Sequence, residues 1–334
     1  MRRSVSLAVA VLLSAGLVAA CGSDESTEEE RPWPLTGLPG YPEGDGRQAV
    51  TVKIENTAAG RPQLGIGSAD IVVQELVEGG LTRLAVMFHS DYPSEAGPVR
   101  SMRETDIGLV LPTGGTLAAS GASASTLAAL ESAGVSTAVE GDPGFFRDSG
   151  RASPYNVMLD VAELDGTLPD APPPGPYLPF GAVPDDAVGS PAGDLELRYP
   201  GDATTFAYNT GSGEWDRTDL PDASDFSFTN VVALTVPVTF TGGTDAAGTP
   251  IPTMVTTGSG SGWVATGEQV FQVEWAKSSN SAAWQLTYAT ADEASTSATF
   301  TLPGGRTWLA LLPEDGGSFT SSAPSGTAAE DAAP

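Results

Sequence analysis

The 334 residues include a single cysteine, Cys21, a single histidine, His89, and 15 lysines and arginines against 42 aspartates and glutamates, a formal net charge of -27. One cysteine leaves no partner for an intrachain disulfide and too few thiolates for a Cys-ligated zinc site. One histidine excludes a two-histidine metal centre and obliges any Ser-His-Asp triad to use His89 itself. Neither G-x-S-x-G nor S-x-x-K occurs, and "GIGSAD" and "GSGSGW" lack the third glycine of a dinucleotide fingerprint. With no EF-hand loop either, no metal and no cofactor are expected. So acidic a chain lacks the basic stripe that displaces counterions from nucleic acid. Beyond the first twenty residues no apolar run is long enough to span a bilayer.

What is present begins with an export signal. Residues 1–20, MRRSVSLAVAVLLSAGLVAA, open on Arg2 and Arg3, continue as an apolar stretch of signal-peptide size and end on small residues. Val18-Ala19-Ala20-Cys21 has the shape of a lipobox, so Cys21 is expected to become the acylated mature N-terminus, palmitate being the type of chain it carries. Each buried methylene contributes roughly 0.8 kcal/mol and one chain holds only marginally, so firm attachment needs several. The expected location is the outer face of the bacterial cell membrane.

Residues 21–47 form the tether and lead-in; "GSDESTEEE" within them is acidic and has nothing to bury. Residues 48–165 read as an α/β N-terminal domain. Gln48 to Asn56 is strand-like, and Ala69 to Phe88 reads as two apolar strands around Gly79-Gly80. With those glycines as the turn, Val77 faces Thr82, Glu75 faces Leu84, Val73 faces Val86 and Ile71 faces Phe88. A short strand at Leu117 to Ser120, a helix capped by Ser123 or Ser125 and ended by Gly134, and a strand at Val135 to Val139 make a strand-helix-strand unit. Residues 166–194 are a proline-dense connection, 195–313 a mostly β C-terminal domain, and 314–334 a low-complexity, disordered tail.

The ordered motifs "VKIEN" (52–56), "RPQLGIGSADIVVQELVEGGLTRLAVMF" (61–88), "GPVRSMRETD" (97–106), "YNV" (155–157), "EWAK" (274–277) and "GGRTWLALLP" (304–313) resemble the YerB-like bacterial lipoproteins over nearly all of the ordered chain. The resemblance implies an exported, two-part lipoprotein with an α/β N-terminal and a β-rich C-terminal portion, and implies no particular reaction. One departure stands out: relatives tend to have Pro-His-Asn where this chain has Pro154-Tyr155-Asn156. An acid or base role for that histidine is closed to this copy.

Eight of the 15 basic residues (Arg47, Lys53, Arg61, Arg83, Arg100, Arg103, Arg147, Arg151) lie between residues 47 and 151. If Val99 to Leu109 is helical after Gly97-Pro98, Arg100, Arg103 and Asp106 share one face. Arginine captures carboxylate or phosphate bidentately, so Arg83, Arg100 and Arg103, flanked by Asn56, Arg61 and Asn156, make a candidate anion-binding cleft. The competing reading pairs these arginines internally with Glu75, Glu78, Glu104 and Asp106. His89 is expected to be an exposed loop residue. Among the C-terminal tryptophans, Trp275 and Trp308 are expected in the core, with Trp263 and Trp284 left between core and a sugar-stacking surface.

Three functions fit these observations. The first is a membrane-anchored envelope lipoprotein that binds or scaffolds an anionic wall component or another envelope protein without catalysis. The second is a hydrolase or transferase acting on peptidoglycan or an attached polymer through carboxylates such as Glu75, Glu78 or Asp106. The third is a structural spacer.

Overall fold

The structure is a computed structural model describing residues 31–221, 225–240, 243–244, 248–290 and 297–324. The export signal, Cys21, the acidic spacer and the last ten residues of the tail lie outside the described residues. The rest, from Arg31 onward, forms one compact unit.

The described chain is mostly β, with few and short helices. In the N-terminal part, β1 (Val50–Glu55), β2 (Ile71–Leu76) and β3 (Thr82–Phe88) are buried along their whole length. They are rich in β-branched residues that suit a pleated, packed surface. Helix α1 (Asp106–Val110) precedes β4 (Thr116–Ala119), α2 (Ala124–Ala133) and β5 (Ser136–Val139). The β4-α2-β5 unit has the expected form: the two strands are parallel, the Ser123 hydroxyl caps the helix by accepting from the Thr126 N–H, and Gly134 ends it at φ 78°. Five-residue α3 (Val161–Asp165) follows, so among the described residues α-helix is confined to three pieces, the longest of ten residues, and the α/β description holds for this one unit.

The C-terminal part adds β6 (Asp194–Tyr199), β7 (Asp202–Asn209), β8 (Glu214–Arg217), β9 (Asn230–Val236), β10 (Gly258–Thr266), β11 (Gln269–Lys277), β12 (Gln285–Ala289), β13 (Thr307–Pro313) and β14 (Ser318–Ser322). Both parts feed one twelve-stranded sheet, whose central order is β12-β11-β10-β9-β13-β2-β3-β1-β4-β5. The joint is β13, which runs parallel to β9 on one side and to β2 on the other. A five-stranded sheet of β14, β6, β7, β8 and Ser227–Phe228 packs on one face of it. Trp308 of β13 meets Phe206 at 5.5 Å and Phe228 at 5.3 Å there, and all three are buried. The opposite face carries α1 and α2 over Met102, Val110, Leu117 and Leu130.

Several expectations change. The hairpin register is shifted by one residue: Glu75 opposes Arg83 and Val73 opposes Ala85. The turn holds three residues rather than two, Glu78 to Gly80, closed by the Val77 N–H on the Leu81 carbonyl at 2.8 Å, with Gly79 and Gly80 at φ 72° and 76°. Both glycines therefore occupy the left-handed region that only glycine enters freely. Residues 99 to 105 are not helical; Val99 bridges Ile54 and the helix begins at Asp106. Ser318–Ser322 of the expected tail is β14, paired with β6. Trp215, Trp275, Trp284 and Trp308 are all buried, and Trp263 stacks on Phe319 at 5.1 Å, so these rings are committed to packing.

One sheet spanning both parts predicts one cooperative unfolding transition. Trp308→Ala is expected to cost about 3–5 kcal/mol and to lower that single midpoint; calorimetry showing two independent transitions, only one of them shifted, contradicts the shared sheet.

Candidate functional site

Register places the charge. On the helix-covered face, Glu55 of β1, Arg83 of β3 and Glu75 of β2 stand directly across from one another, with Lys53 two residues behind Glu55. Segment 97–106 first pairs along the edge of β1, through the Glu55 N–H on the Pro98 carbonyl at 3.0 Å and the Arg100 N–H on the Lys53 carbonyl at 2.8 Å, and by Asp106 has turned onto this face. It delivers Arg100, Arg103 and Asp106 onto the row.

At the centre lies Lys53, absent from the candidate site read from sequence. Its ammonium pairs with Glu75 and, at 2.7 Å, with Asp106 Oδ1; all three side chains are fully buried. Asp106 Oδ2 also accepts the Arg103 backbone N–H at 2.7 Å. Two carboxyl groups thus share one ammonium, and Glu75 Oε2 has no hydrogen-bond partner. Burial pushes the Glu75 carboxyl up to about 7, opposed by Lys53 and reinforced by Asp106.

The arginines are largely spoken for. Arg103 Nη2 donates to Glu78 Oε2 at 2.7 Å and Nη1 to the Met102 carbonyl at 2.7 Å. Arg100 pairs with Glu55 Oε2 at 2.9 Å. Glu55 Oε1 accepts the N–H groups of Asn56 and Thr57 at 3.1 and 3.0 Å. Gly60 lies over Glu55 so closely that a Cβ would meet its Cγ at 2.3 Å. Arg83 is buried and, among the described residues, its side chain makes one hydrogen bond, Nη1 to the Ser101 carbonyl at 3.3 Å. Burial, with Arg103 adding, lowers it to about 10, still protonated at neutral pH.

The remaining candidates separate. Asn56 points to the other face of the sheet, donating to Thr82 Oγ1 at 2.7 Å and accepting from Arg217 at 3.0 Å. Asn156 accepts from Arg147 at 2.9 Å. Arg61 and Arg151 instead line, with Pro62 and Tyr155, an open cavity of about 360 Å³. Arg100 borders it, 5.3 Å from the Tyr155 ring centroid, with Nη1 on the Pro154 carbonyl at 3.2 Å. Arg151 pairs with Asp148 at 3.2 Å, while Arg61 and Arg217 share Asp219 at 3.3 and 2.8 Å. Period-two reading of "VKIE" could have found Lys53 and Glu55, since both fall on the strand face that carries Glu75. Arg151 and Tyr155 gave no sequence signal of convergence with Arg61.

His89 is not an exposed loop residue. It is buried, with ring centroids 5.3 Å from Trp33 and 5.5 Å from Tyr41. Burial, with the Arg47 charge adding, lowers it to about 4, so it is neutral. Its sequence neighbours turn elsewhere: Ser90 bonds Asp70, and Asp91 accepts from Ser68 at 2.6 Å. Among the described residues no group of three or more His, Cys, Asp or Glu side chains is placed to hold a metal ion.

Two family models match the chain. Residues 35–173 match "Protein of unknown function (DUF3048) N-terminal domain" and residues 195–309 match "Protein of unknown function (DUF3048) C-terminal domain". The chain belongs to this two-part family. It is 45% identical over 71 residues to the Bacillus subtilis (strain 168) protein named "Putative lipoprotein YerB", a stretch covering 21% of this chain and 22% of that protein. The crystal structure of the YerB protein from Bacillus subtilis superposes with a TM-score of 0.71 at 21% identity, covering 87% of this chain and 100% of the other. That likeness shows the shared fold.

Lys53→Met strands two buried carboxyl groups and is expected to cost about 3–5 kcal/mol; adding Glu75→Leu recovers part of it. Protonated Glu75 is the form that burial favours, so its contribution is present below pH 4.5 and is lost as pH rises through about 7. Glu75→Gln lacks that slope. Its urea midpoint relative to wild type should rise between pH 5 and pH 8; a difference constant with pH shows that Glu75 does not titrate in this range.

Proposed function

We propose that the chain is an exported lipoprotein, anchored through Cys21 to the outer face of the cell membrane, that binds an anionic wall polymer without catalysis. The observation that carries the binding role is the cavity beside Tyr155. There and just behind it, four guanidinium groups (Arg61, Arg100, Arg151, Arg217) share three carboxylates (Glu55, Asp148, Asp219), leaving one positive charge over in a chain of net charge -27. Three of the four reach the cavity wall or its border on side chains that water still touches. Arg151 Nη1 and Nη2 donate to the Gly60 and Pro62 carbonyls at 3.3 and 2.8 Å, and a phosphate or carboxylate there would take the remaining guanidinium N–H groups with an aromatic ring to lie against. Tyr155 supplies that ring where relatives tend to place histidine.

The same geometry weighs against the carboxylate-enzyme reading. Glu75 and Asp106 are locked on one ammonium with no solvent access, and Glu78 holds Arg103. A general acid or base needs to reach a substrate proton within hydrogen-bond distance. Anchoring on Cys21 is supported by the lipobox shape and by the printed name of the Bacillus relative.

Binding of poly(glycerol phosphate) is expected to fall at least tenfold in Arg61→Ala/Arg151→Ala and to change less than twofold in Arg198→Ala, on the second sheet. Affinity should also decline with salt. A double variant that binds as wild type does removes this site. Radiolabelled palmitate should enter the wild-type chain and not Cys21→Ser, and labelling of Cys21→Ser would refute the anchor.

A further inference from the structure

A second concave site lies away from the arginines. Its first wall is the loop from Arg31 to Tyr41, closed by the Trp33 N–H on the Leu38 carbonyl at 2.7 Å and the Tyr41 N–H on the Arg31 carbonyl at 2.9 Å. Its second wall is the proline-dense connection, tied down where the Gly181 N–H reaches the Leu302 carbonyl at 2.7 Å. Gly37, at φ 68°, lies against Phe180 so tightly that a Cβ would meet it at 2.5 Å. Pro303 and Gly304 complete a groove of about 710 Å³. Such a volume suits a small-molecule ligand in a preformed site.

We infer that this groove takes the hydrocarbon chain of an anionic membrane lipid, with the headgroup against Arg31. The lining sets the chemistry. Pro32, Pro34, Pro173, Pro174, Pro176 and Pro303 have no N–H to offer. The N–H groups of Trp33, Gly37, Tyr41 and Gly181 are already given to carbonyls, and the Tyr41 hydroxyl donates to the Asp45 carbonyl at 3.0 Å. A sugar strand or an extended peptide buried here would leave polar groups unpaired, at about 1–3 kcal/mol each. A hydrocarbon chain against Trp33, Leu178 and Phe180 brings no polar group of its own to be left unpaired.

Charge points the same way. Arg31 is the one charged residue in the lining; its described contact is the Tyr41 ring at 5.4 Å, and among the described residues it has no ion pair. A guanidinium with no ion pair among the described residues, beside aromatic rings at the edge of an apolar groove, matches a phosphate headgroup at a membrane interface. Reach agrees too. Cys21 precedes Arg31 by ten residues, so the covalent chain holds the groove within about 36 Å of the lipidated position at full extension. This last step rests on the anchor proposed above; the lining chemistry does not.

The test uses a chain beginning at residue 22, which contains every described strand and has no cysteine to acylate. Fluorescent lyso-phosphatidylglycerol and lyso-phosphatidylcholine, each below its micelle concentration, are titrated by anisotropy. The glycerol lipid is expected to bind at least tenfold more tightly than the choline lipid, and Arg31→Glu to abolish that preference. Ala182→Trp, at an exposed position on the groove wall, should weaken both at least tenfold. Absence of saturable binding, or Ala182→Trp binding as wild type does, overturns the inference. In a second arm the chain acylated at Cys21 is titrated in phosphatidylcholine vesicles. If it refuses the probe that the unacylated chain takes, the groove holds the protein's own acyl chain and capture of a membrane lipid is overturned. The first arm contains no Cys21, so its failure leaves the anchor and the Arg61–Arg151 cavity untouched.

Discussion

The ammonium of Lys53, shared by Glu75 and Asp106, is the contact on which the N-terminal part is arranged. It joins β1, β2 and the first turn of α1 through three side chains that water does not reach. A buried ionic cluster is a poor source of net stability, since desolvation consumes most of its Coulomb gain. Its value lies in what it forbids. A one-residue slip of β2 would carry Glu75 to the face packed by Trp308 and Phe206 and leave Lys53 without it. Correct register is the arrangement that pairs both charges, so the cluster selects one alignment among several that the apolar residues alone would accept.

The same cluster explains why scarce positive charge gathers in one stretch of so acidic a chain. Lys53, Arg83, Arg100 and Arg103 lie among Glu55, Glu75, Glu78 and Asp106, four cations among four carboxyl groups. Each cation introduced on this face answers a carboxyl group on the same face. Arg83 is opposed across the strands by both Glu55 and Glu75, and its guanidinium needs no direct ion pair to lie in a field of compensating sign. Arginine enrichment here is therefore first a matter of internal balance. Near this face, two cations meet one carboxylate where Arg61 and Arg217 both turn to Asp219, next to the Tyr155 cavity. Arg100 stands between the two groups, paired with Glu55 and lying against the Tyr155 ring.

How far this was legible depended on the distance over which each residue is constrained. The β4-α2-β5 unit was readable because its signals are local: a serine cap, a helical run and a terminating glycine. The hairpin existed as read, yet its register missed by one. Two consecutive glycines suit a two-residue turn, but the turn recruits Glu78, whose carboxylate is held by Arg103 from a distant segment. Residues 99–105 look helical by charge spacing, yet the helix waits until Asp106, because Val99 is taken up beside Ile54 of β1. His89 opens a polar-looking "HSD" and yet is buried, since Trp33 and Tyr41 fold back over it from the lead-in. Each miss is a case of a long-range partner overriding a local tendency.

Strand β13 carries the consequence for how the two matched segments work. It belongs to the C-terminal part yet fills the space between β2 and β9, pairing in parallel with both. Without it, Ile71 to Gln74 of β2 would present an open, apolar edge, the feature most prone to improper pairing. Glu75 of the lysine cluster lies on β2 itself, so its register is held from one side by β3 and from the other by a strand that arrives more than 200 residues later. The N-terminal segment therefore encodes the charged face but not the strand that covers the β2 edge beside it. Any ligand site on that face is a property of both segments together, and the two family models divide in sequence what the sheet does not divide in space.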